Sequence, residues 1–214
     1  MVARLLTEFI GTFFLVLTIG LTVLIGTEFA PIAIGSALMA LIYMGGHVSG
    51  AHYNPAVTLA IWMRGKIEAK EVGPYMGAQV LGAFIAAFVA DTITDSTLQV
   101  MPAAETSLFE FFLLELLFTF LLALVILNVA TSKRTEGNDY YGLAIGFTVL
   151  AGAFAAGPIS GGAFNPAVAL GPALADLILG DGASIGGLWV YLVATFAGGA
   201  LAAVVFKIQN PDDA

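Results

Sequence analysis

The 214-residue chain has no cysteine and two histidines, His47 and His52. The first absence excludes a disulfide framework, a thiolate metal site and a cysteine nucleophile. The second speaks against a histidine-rich metal centre, so neither a metal nor another cofactor is expected. Charge is scarce as well: 10% of residues are Asp, Glu, Lys or Arg, against about 25% in a soluble globular domain. Seven basic residues face fifteen acidic ones, for a formal net charge of −8, and no basic cluster is denser than the Lys133-Arg134 pair. Nucleic acid is therefore not an expected partner. Neither hydrolase chemistry of the Ser/His/Asp kind nor a phosphate-cradling lysine is supported, so the chain is not expected to be an enzyme.

What is abundant is apolar surface. Hydrophobic residues make up 59% of the chain and the mean hydropathy is +0.97, which marks an integral membrane protein. Because a span needs ~20 apolar residues, six helices are predicted, near 5–26, 31–45, 72–91, 109–131, 140–157 and 187–207. The first follows Arg4 as a signal peptide would, yet it carries Glu8, is long enough to cross and lacks an Ala-x-Ala exit, so it is expected to be retained. Two further apolar segments, 55–64 and 166–175, are long enough for only half a bilayer. If each dips in and returns to its own side, Arg4, Arg64, Lys66, Lys70, Lys133, Arg134 and Lys207 all fall on one face. The positive-inside rule makes that face, and both termini, cytoplasmic. The opposite loops then hold Glu28, Asp91, Asp95, Glu105, Asp176 and Asp181, with no Lys or Arg.

The chain also repeats itself. Glu8-Phe-Ile-Gly-Thr12 is echoed by Glu115-Leu-Leu-Phe-Thr119, and Ser49-Gly-Ala-His-Tyr-Asn-Pro-Ala-Val57 by Ser160-Gly-Gly-Ala-Phe-Asn-Pro-Ala-Val168. Tyr75, Gln79 and Gly82 are echoed by Tyr191, Thr195 and Gly198. Two halves, 1–107 and 108–214, are expected; with three spans each, they must lie in opposite orientations. Asn54 and Asn165 are strong cap residues, and Pro55 and Pro166, followed by Ala56 and Ala167, suit a first helical turn. Each half-helix thus starts at its asparagine. The loops before them, Gly45 to Tyr53 and Gly157 to Phe164, must line something wet, since bare backbone is not tolerated in lipid. With opposite orientations, two positive helix ends meet at the centre and repel cations.

These residues resemble the aquaporins and glycerol facilitators, the major intrinsic proteins. Gly46-His-Val-Ser-Gly-Ala-His-Tyr-Asn-Pro-Ala-Val-Thr58 is similar to the family's first signature, and Gly171-Pro-Ala173 and Gly187-Leu-Trp-Val-Tyr191 to later landmarks. The resemblance covers nearly the whole chain. It implies an all-α membrane fold of six transmembrane helices plus two re-entrant half-helices in an inverted repeat. It also implies a passive channel for water and small neutral solutes such as glycerol-like polyols, one pore per subunit, and a homotetramer in the bilayer.

One departure from the family pattern stands out. The outer constriction, counted from the two motifs, falls on Ile34, Ala153, Gly162 and Val168. Water-selective members place an aromatic, a histidine, a small residue and an arginine there; glycerol facilitators place aromatics, glycine and arginine. This chain has none of the bulky or charged ones, so its filter is expected to be wide, apolar and arginine-free, unless Phe154, Phe164 or the acidic loop 91–107 refills it. Val168 resembles a bacterial subset that lacks this arginine and is associated with arsenic detoxification, which adds arsenic hydroxides to the expected solutes and the cell (inner) membrane as the location. Glu8 and Glu115 inside apolar helices admit two readings: a proton relay of a coupled carrier, or acceptors for loop N–H groups, as the family implies. His47 and His52 either line the inner mouth or satisfy loop carbonyls. The Phe109 to Phe120 run is read as lipid-facing or packing surface, and Gly142/Gly146 and Gly82/Ala86 as sites of close helix contact.

Overall fold

The computed structural model describes residues 1–213. The elements are α1 (Val2–Leu24), α2 (Ala30–Ser49), α3 (Pro55–Met63), α4 (Ala69–Thr94), α5 (Leu108–Thr131), α6 (Tyr141–Ser160), α7 (Pro166–Leu179) and α8 (Ile185–Gln209). Single 3-10 turns follow at Lys133–Thr135 and Pro211–Asp213, and no strand occurs among the described residues. Six helices, of 20 to 26 residues, are long and apolar enough to cross a membrane; α3 and α7 are the short pair between them.

The helix ends explain where expectation and structure differ. α2 and α6 run on to Ser49 and Ser160, so the non-helical loops begin at Gly50 and Gly161 rather than at Gly45 and Gly157. Gly50 (φ +89°) and Gly161 (φ +88°) take the left-handed turn that a side chain disfavours, and they end their helices. Gly45 is a packing position instead: a Cβ there would lie 1.9 Å from the Tyr53 hydroxyl. α7 extends to Leu179, past Asp176, whose carboxylate accepts from the Ser184 N–H and hydroxyl and is thereby held at the helix end. α5 starts at Ser107, whose hydroxyl accepts from Glu110 N–H (3.3 Å) while the Glu110 carboxylate accepts from Ser107 N–H (2.8 Å).

Small residues set the helix contacts, as packing in lipid demands. α1 and α4 run parallel, and a Cβ on Gly82 would lie 2.5 Å from Phe9 O. α5 and α8 match them, with Gly198 against Leu116 O at 2.6 Å. Between α2 and α6, which are antiparallel, Gly35 and Gly146 each face the other's carbonyl. Gly142 sits on the Tyr43 ring and Ala86 is fully buried. α3 lies on α8 through Gly199 and Ala56, and α7 on α4 through Gly171 and Ala83. Along the phenylalanine run Phe109 points outward, whereas Phe111 packs edge-on against Tyr191 at 4.5 Å.

These contacts separate two kinds of glycine. Gly198→Val drives a branched side chain into the Leu116 carbonyl and is expected to cost about 1–3 kcal/mol. Gly73, in α4 with nothing within 4 Å of a Cβ, tolerates Gly73→Ala with a gain of up to about 1 kcal/mol from helix propensity. Thermal unfolding of the two variants in detergent checks the contrast; equal melting temperatures would contradict it.

Candidate pore

The loops 50–54 and 161–165 meet where α3 and α7 begin. Asn54 caps α3, its Oδ1 accepting from Ala56 N–H (2.9 Å) and Val57 N–H (3.3 Å); Asn165 caps α7 by accepting from Ala167 N–H (2.9 Å). Pro55 and Pro166 occupy the first helical positions, and Ala56 and Ala167 are fully buried behind them. One amide N–H of each asparagine crosses to the other loop: Asn54 Nδ2 donates to Phe164 O and Asn165 Nδ2 to Tyr53 O, both at 2.9 Å. An amide nitrogen carries two protons, so a second donor remains on each, and both asparagines line a cavity.

Behind the loops stand the two carboxylates. Glu8 Oε1 accepts from the Ser49 hydroxyl (2.6 Å) and His52 N–H (3.0 Å), and its Oε2 from Tyr53 N–H (2.7 Å) and Gln79 Nε2 (2.8 Å). All four lone-pair directions are filled. Glu115 accepts from the Ser160 hydroxyl (2.7 Å), Ala163 N–H (3.1 Å) and Phe164 N–H (2.8 Å). Tyr75 and Tyr191 donate to Ser49 O and Ser160 O, fastening the helix ends above. Both carboxylates are fully buried, and neither lines the outer or the inner cavity described next.

An outer cavity of about 480 Å³ reaches from the asparagines past Ile34, Ala153, Gly162 and Val168. No lysine or arginine lines it among the described residues; its ionisable groups are Glu28, His52 and Tyr53. Phe154 and Phe164 line it too, together with Leu98 to Met101 from the loop after α4; the Phe164 ring also packs 5.3 Å from that of Phe118. An inner cavity of about 900 Å³ is lined by His47, His52, Arg4, Lys66, Lys133 and Glu136, among others. The two cavities share five residues, Ile42, Ala51, His52, Ile126 and Ile145, and so adjoin inward of Asn54.

Which residues of the loop 91–107 reach the cavity, and what closes the inner rim, carried no recognisable signal in the sequence. The stretch 98–101 has no counterpart in the second half. It is held by Gln99 Nε2, which donates to Asp176 (3.0 Å) and Asp181 (2.7 Å), and by Ala103 N–H, which donates to Ile159 O (2.9 Å). Gly182-Ala183-Ser184-Ile185-Gly186 has the spacing of a hydrolase elbow, but Ser184 is buried, its hydroxyl donates to Asp176 Oδ2 (2.7 Å), and both histidines lie in the inner cavity lining. At the inner rim the Arg64 guanidinium meets Asp213 Oδ1 at 2.9 Å and lies 4.8 Å from the centre of the Phe206 ring. Asp213 Oδ2 accepts from Lys133 N–H (2.9 Å), so the chain's last described turn ties α3 to the loop lining the inner cavity.

Two inward-starting half-helices between six spans, with asparagines exchanged across the centre of a transmembrane cavity, define a channel of the major intrinsic protein class. The sequence model of the family described as major intrinsic protein matches residues 1–206. The chain belongs to this family, whose members are channels and not enzymes. Similar proteins include aquaporin NIP1-2 of Arabidopsis thaliana, 35% identical over 98% of this chain and 75% of that one. A glycerol uptake facilitator protein-like 6 of Lactiplantibacillus plantarum is 36% identical over 97% of this chain and 98% of its own. Among solved structures, the aquaglyceroporin from Plasmodium falciparum superposes with a TM-score of 0.85 at 25% identity, covering 98% of this chain and 97% of that one.

The rim contact yields a pH prediction. The Ser132 hydroxyl, the Lys133 N–H and the Arg64 guanidinium hold the Asp213 carboxyl below its ordinary range. A carboxylate with a lowered folded pKa stabilises fully above its unfolded pKa of about 3.9 and loses that contribution as pH falls through the folded value. The melting temperature of wild type should therefore exceed that of Asp213→Asn at neutral pH, and the gap should close below pH of about 4. A gap independent of pH would contradict the assignment.

Proposed function

We propose that the chain is a passive channel for water and small neutral solutes up to glycerol size, including undissociated arsenic hydroxides, with a wide, apolar, arginine-free outer filter. The observation that carries this reading is the cavity that runs from the paired asparagines past Ile34, Ala153, Gly162 and Val168 without meeting an arginine or lysine. In pores of this class selectivity comes from diameter, placed donors and an electrostatic barrier. Without the guanidinium, the filter loses five donors and a fixed charge. The likeness to proteins named glycerol uptake facilitator and aquaglyceroporin points the same way. Phe154, Phe164, Leu98, Val100 and Met101 add apolar groups to the outer cavity, and the one polar side chain among them, Gln99, is bonded to Asp176 and Asp181.

The halves 1–107 and 108–214 act as inverted copies, with the positive ends of α3 and α7 meeting between Asn54 and Asn165 as the barrier to cations. Glu8 and Glu115 hold the loops. A proton relay would need carboxylates that open to the lumen, and these are fully buried and bonded, Glu8 by four donors and Glu115 by three. His47 and His52 line the inner mouth. In this reading the protein sits in the cell (inner) membrane as a homotetramer with both termini cytoplasmic, the orientation that the positive-inside rule favours for the basic residues of the inner rim.

Stopped-flow measurements on proteoliposomes test the filter. Wild type is expected to pass glycerol, urea and trivalent arsenic acid alongside water, with a low activation energy and no dependence on a proton gradient. Val168→Arg should lower glycerol flux about tenfold, ~1.4 kcal/mol on the barrier, and water flux less. Fast water with exclusion of all three larger solutes would overturn the wide filter. Topology is tested in the cysteine-free background: Glu68→Cys and Glu136→Cys should react with an impermeant thiol reagent only from the cytoplasmic side, and Asp95→Cys and Asp181→Cys only from outside. Labelling of Glu68→Cys from outside would remove the re-entrant arrangement.

A further inference from the structure

Of the seven basic residues in the chain, three line the inner cavity: Arg4, Lys66 and Lys133. They reach it from different sides, Arg4 from α1, Lys66 from the turn between α3 and α4, and Lys133 from the turn after α5, while His47 lines it from α2. The positive-inside rule accounts for basic residues on this face. It does not ask that they converge on the mouth of a passage, nor that their charges be left without partners there. Elsewhere on the face the charges are matched: Arg64 meets Asp213 at 2.9 Å, Lys70 meets Glu68 at 2.7 Å and Arg134 meets Asp212 at 3.8 Å. Lys207, on α8, is exposed and lies off the cavity.

The three are anchored at their bases and free at their heads. Arg4 donates from one terminal nitrogen to Glu71 Oε1, and its guanidinium carbon lies 5.3 Å from the centre of the Tyr75 ring. These contacts hold the group in place with its remaining donors unused, and Glu71 itself does not line the cavity. Lys66 N–H donates to Ile61 O (3.0 Å) past Gly65, whose φ of +77° closes the end of α3. Lys133 N–H donates to Asp213 Oδ2 (2.9 Å). Among the described residues no carboxylate lies within ion-pair distance of either lysine ammonium. Against the three cations the described lining holds one acidic residue, Glu136.

A recess of about 900 Å³ with an excess of one charge sign, walled in part by Ile42, Ile61 and Ile126, focuses the field and draws anions. The placement of the donors suits one anion above others. A carboxylate offers two oxygens in one plane, which a single guanidinium fork satisfies. A phosphate monoester carries close to two negative charges at neutral pH and three terminal oxygens that point to different sides. It can therefore accept at once from groups that stand around a ring. The inner cavity adjoins the outer one, so an occupant here stands over the inner end of the passage.

We propose that the inner cavity is a binding site for a water-soluble phosphate monoester, held by Arg4, Lys66 and Lys133, and that the bound anion obstructs the passage. The anion goes no further than the recess. Beyond it stand Ile42, Ile126 and Ile145, and no lysine or arginine lines the outer cavity among the described residues, so the charge would leave its partners for an apolar wall. The recess is ringed by α1, α2 and two turns at the end of the passage, which favours a soluble ester over the headgroup of a lipid. The obstruction rests on the channel reading above; the binding does not.

Equilibrium dialysis of glycerol phosphate against the full chain in phosphatidylcholine nanodiscs reads the binding. Phosphatidylcholine proteoliposomes with the ester at equal concentration on both faces, compared with sodium chloride of the same ionic strength, read the obstruction whatever the orientation of the inserted protein. Wild type is expected to bind at millimolar concentration and to lose most of its water and glycerol flux. Lys66→Gln and Lys133→Gln should each weaken binding severalfold, and the two together about tenfold, with flux restored relative to the same variant in chloride. Lys66→Arg with Lys133→Arg should keep binding and block, and Glu136→Gln should tighten binding. Lys207→Gln removes the same charge off the cavity and should leave both at wild-type values. Absence of binding overturns the proposal, as does binding that the double glutamine variant retains or that Lys207→Gln weakens equally, or bound ester with undiminished flux. Phosphatidic acid added to the vesicles tests the other source of the same group: block by this lipid without soluble ester overturns the soluble ligand. Because dialysis needs no conduction, a protein that binds the ester and passes no solute overturns the channel reading and the obstruction, while the binding site stands.

Discussion

The exchange of amide bonds between Asn54 and Phe164 O and between Asn165 and Tyr53 O is what allows unwound backbone at the centre of a membrane protein. Lipid supplies no partner for a bare peptide group, and each one left unpaired costs several kcal/mol. Tyr53 and Phe164 also sit in the left-handed region, at φ +49° and +48°, which a bulky residue avoids. Their geometry is held from both sides. The N–H of each donates to Glu8 or Glu115, and the carbonyl of each accepts from the opposite asparagine. The positioning of α3 and α7, and with them the alignment of the cavities, follows from this pinning.

The two halves use the same frame unequally. Where the first half has His52, Thr58 and Gln79, the second has Ala163, Ala169 and Thr195. The Thr195 hydroxyl turns back to Tyr191 O at 2.6 Å instead of reaching its carboxylate. Glu8 thus carries a side-chain network that extends to the passage, whereas the bonds to Glu115 end in its own loop and helix end. The hydrogen-bonding capacity of the lumen is displaced inward as a result. Outward of the asparagines a solute meets Val168, Ile34, Leu98 and Val100; inward of them it meets the imidazole and then the lysines of the wider cavity.

Much of this was legible in the sequence because it depends on strong local rules. Length and hydropathy give the six spans, and an Asn-Pro pair is both a cap and a first turn, so the start of each half-helix reads directly. The ends of α2 and α6 did not read, because a glycine that makes room for Tyr53 looks the same in sequence as one that breaks a helix. The loop 91–107 read as a candidate to refill the outer ring, but which of its residues reach the cavity did not: the place of Leu98 to Met101 is decided by Gln99 reaching Asp176 and Asp181, some eighty residues away. Likewise nothing local pairs Arg64 with Asp213; only the return of α8 to the inner end brings them together.

Charge completes the argument for neutral cargo. The outer loops are acidic and Glu28 lines the outer cavity, so a cation is drawn toward the mouth. Passage would require an opposite charge at the centre, where two helix N-termini point inward. The carboxylates nearest that point are Glu8 and Glu115, and both are turned away, their oxygens committed to the loop N–H groups. The groups that make the unwound backbone tolerable in lipid are thereby kept from the lumen, and Arg4, Lys66 and Lys133 line the cavity beyond. On the proposed reading a cation would meet two helix N-termini at the centre and then a vestibule lined by Arg4, Lys66 and Lys133 with Glu136 among them. A neutral solute meets only the question of whether its lost hydrogen bonds are replaced along a lining that holds the asparagine amides and then His52.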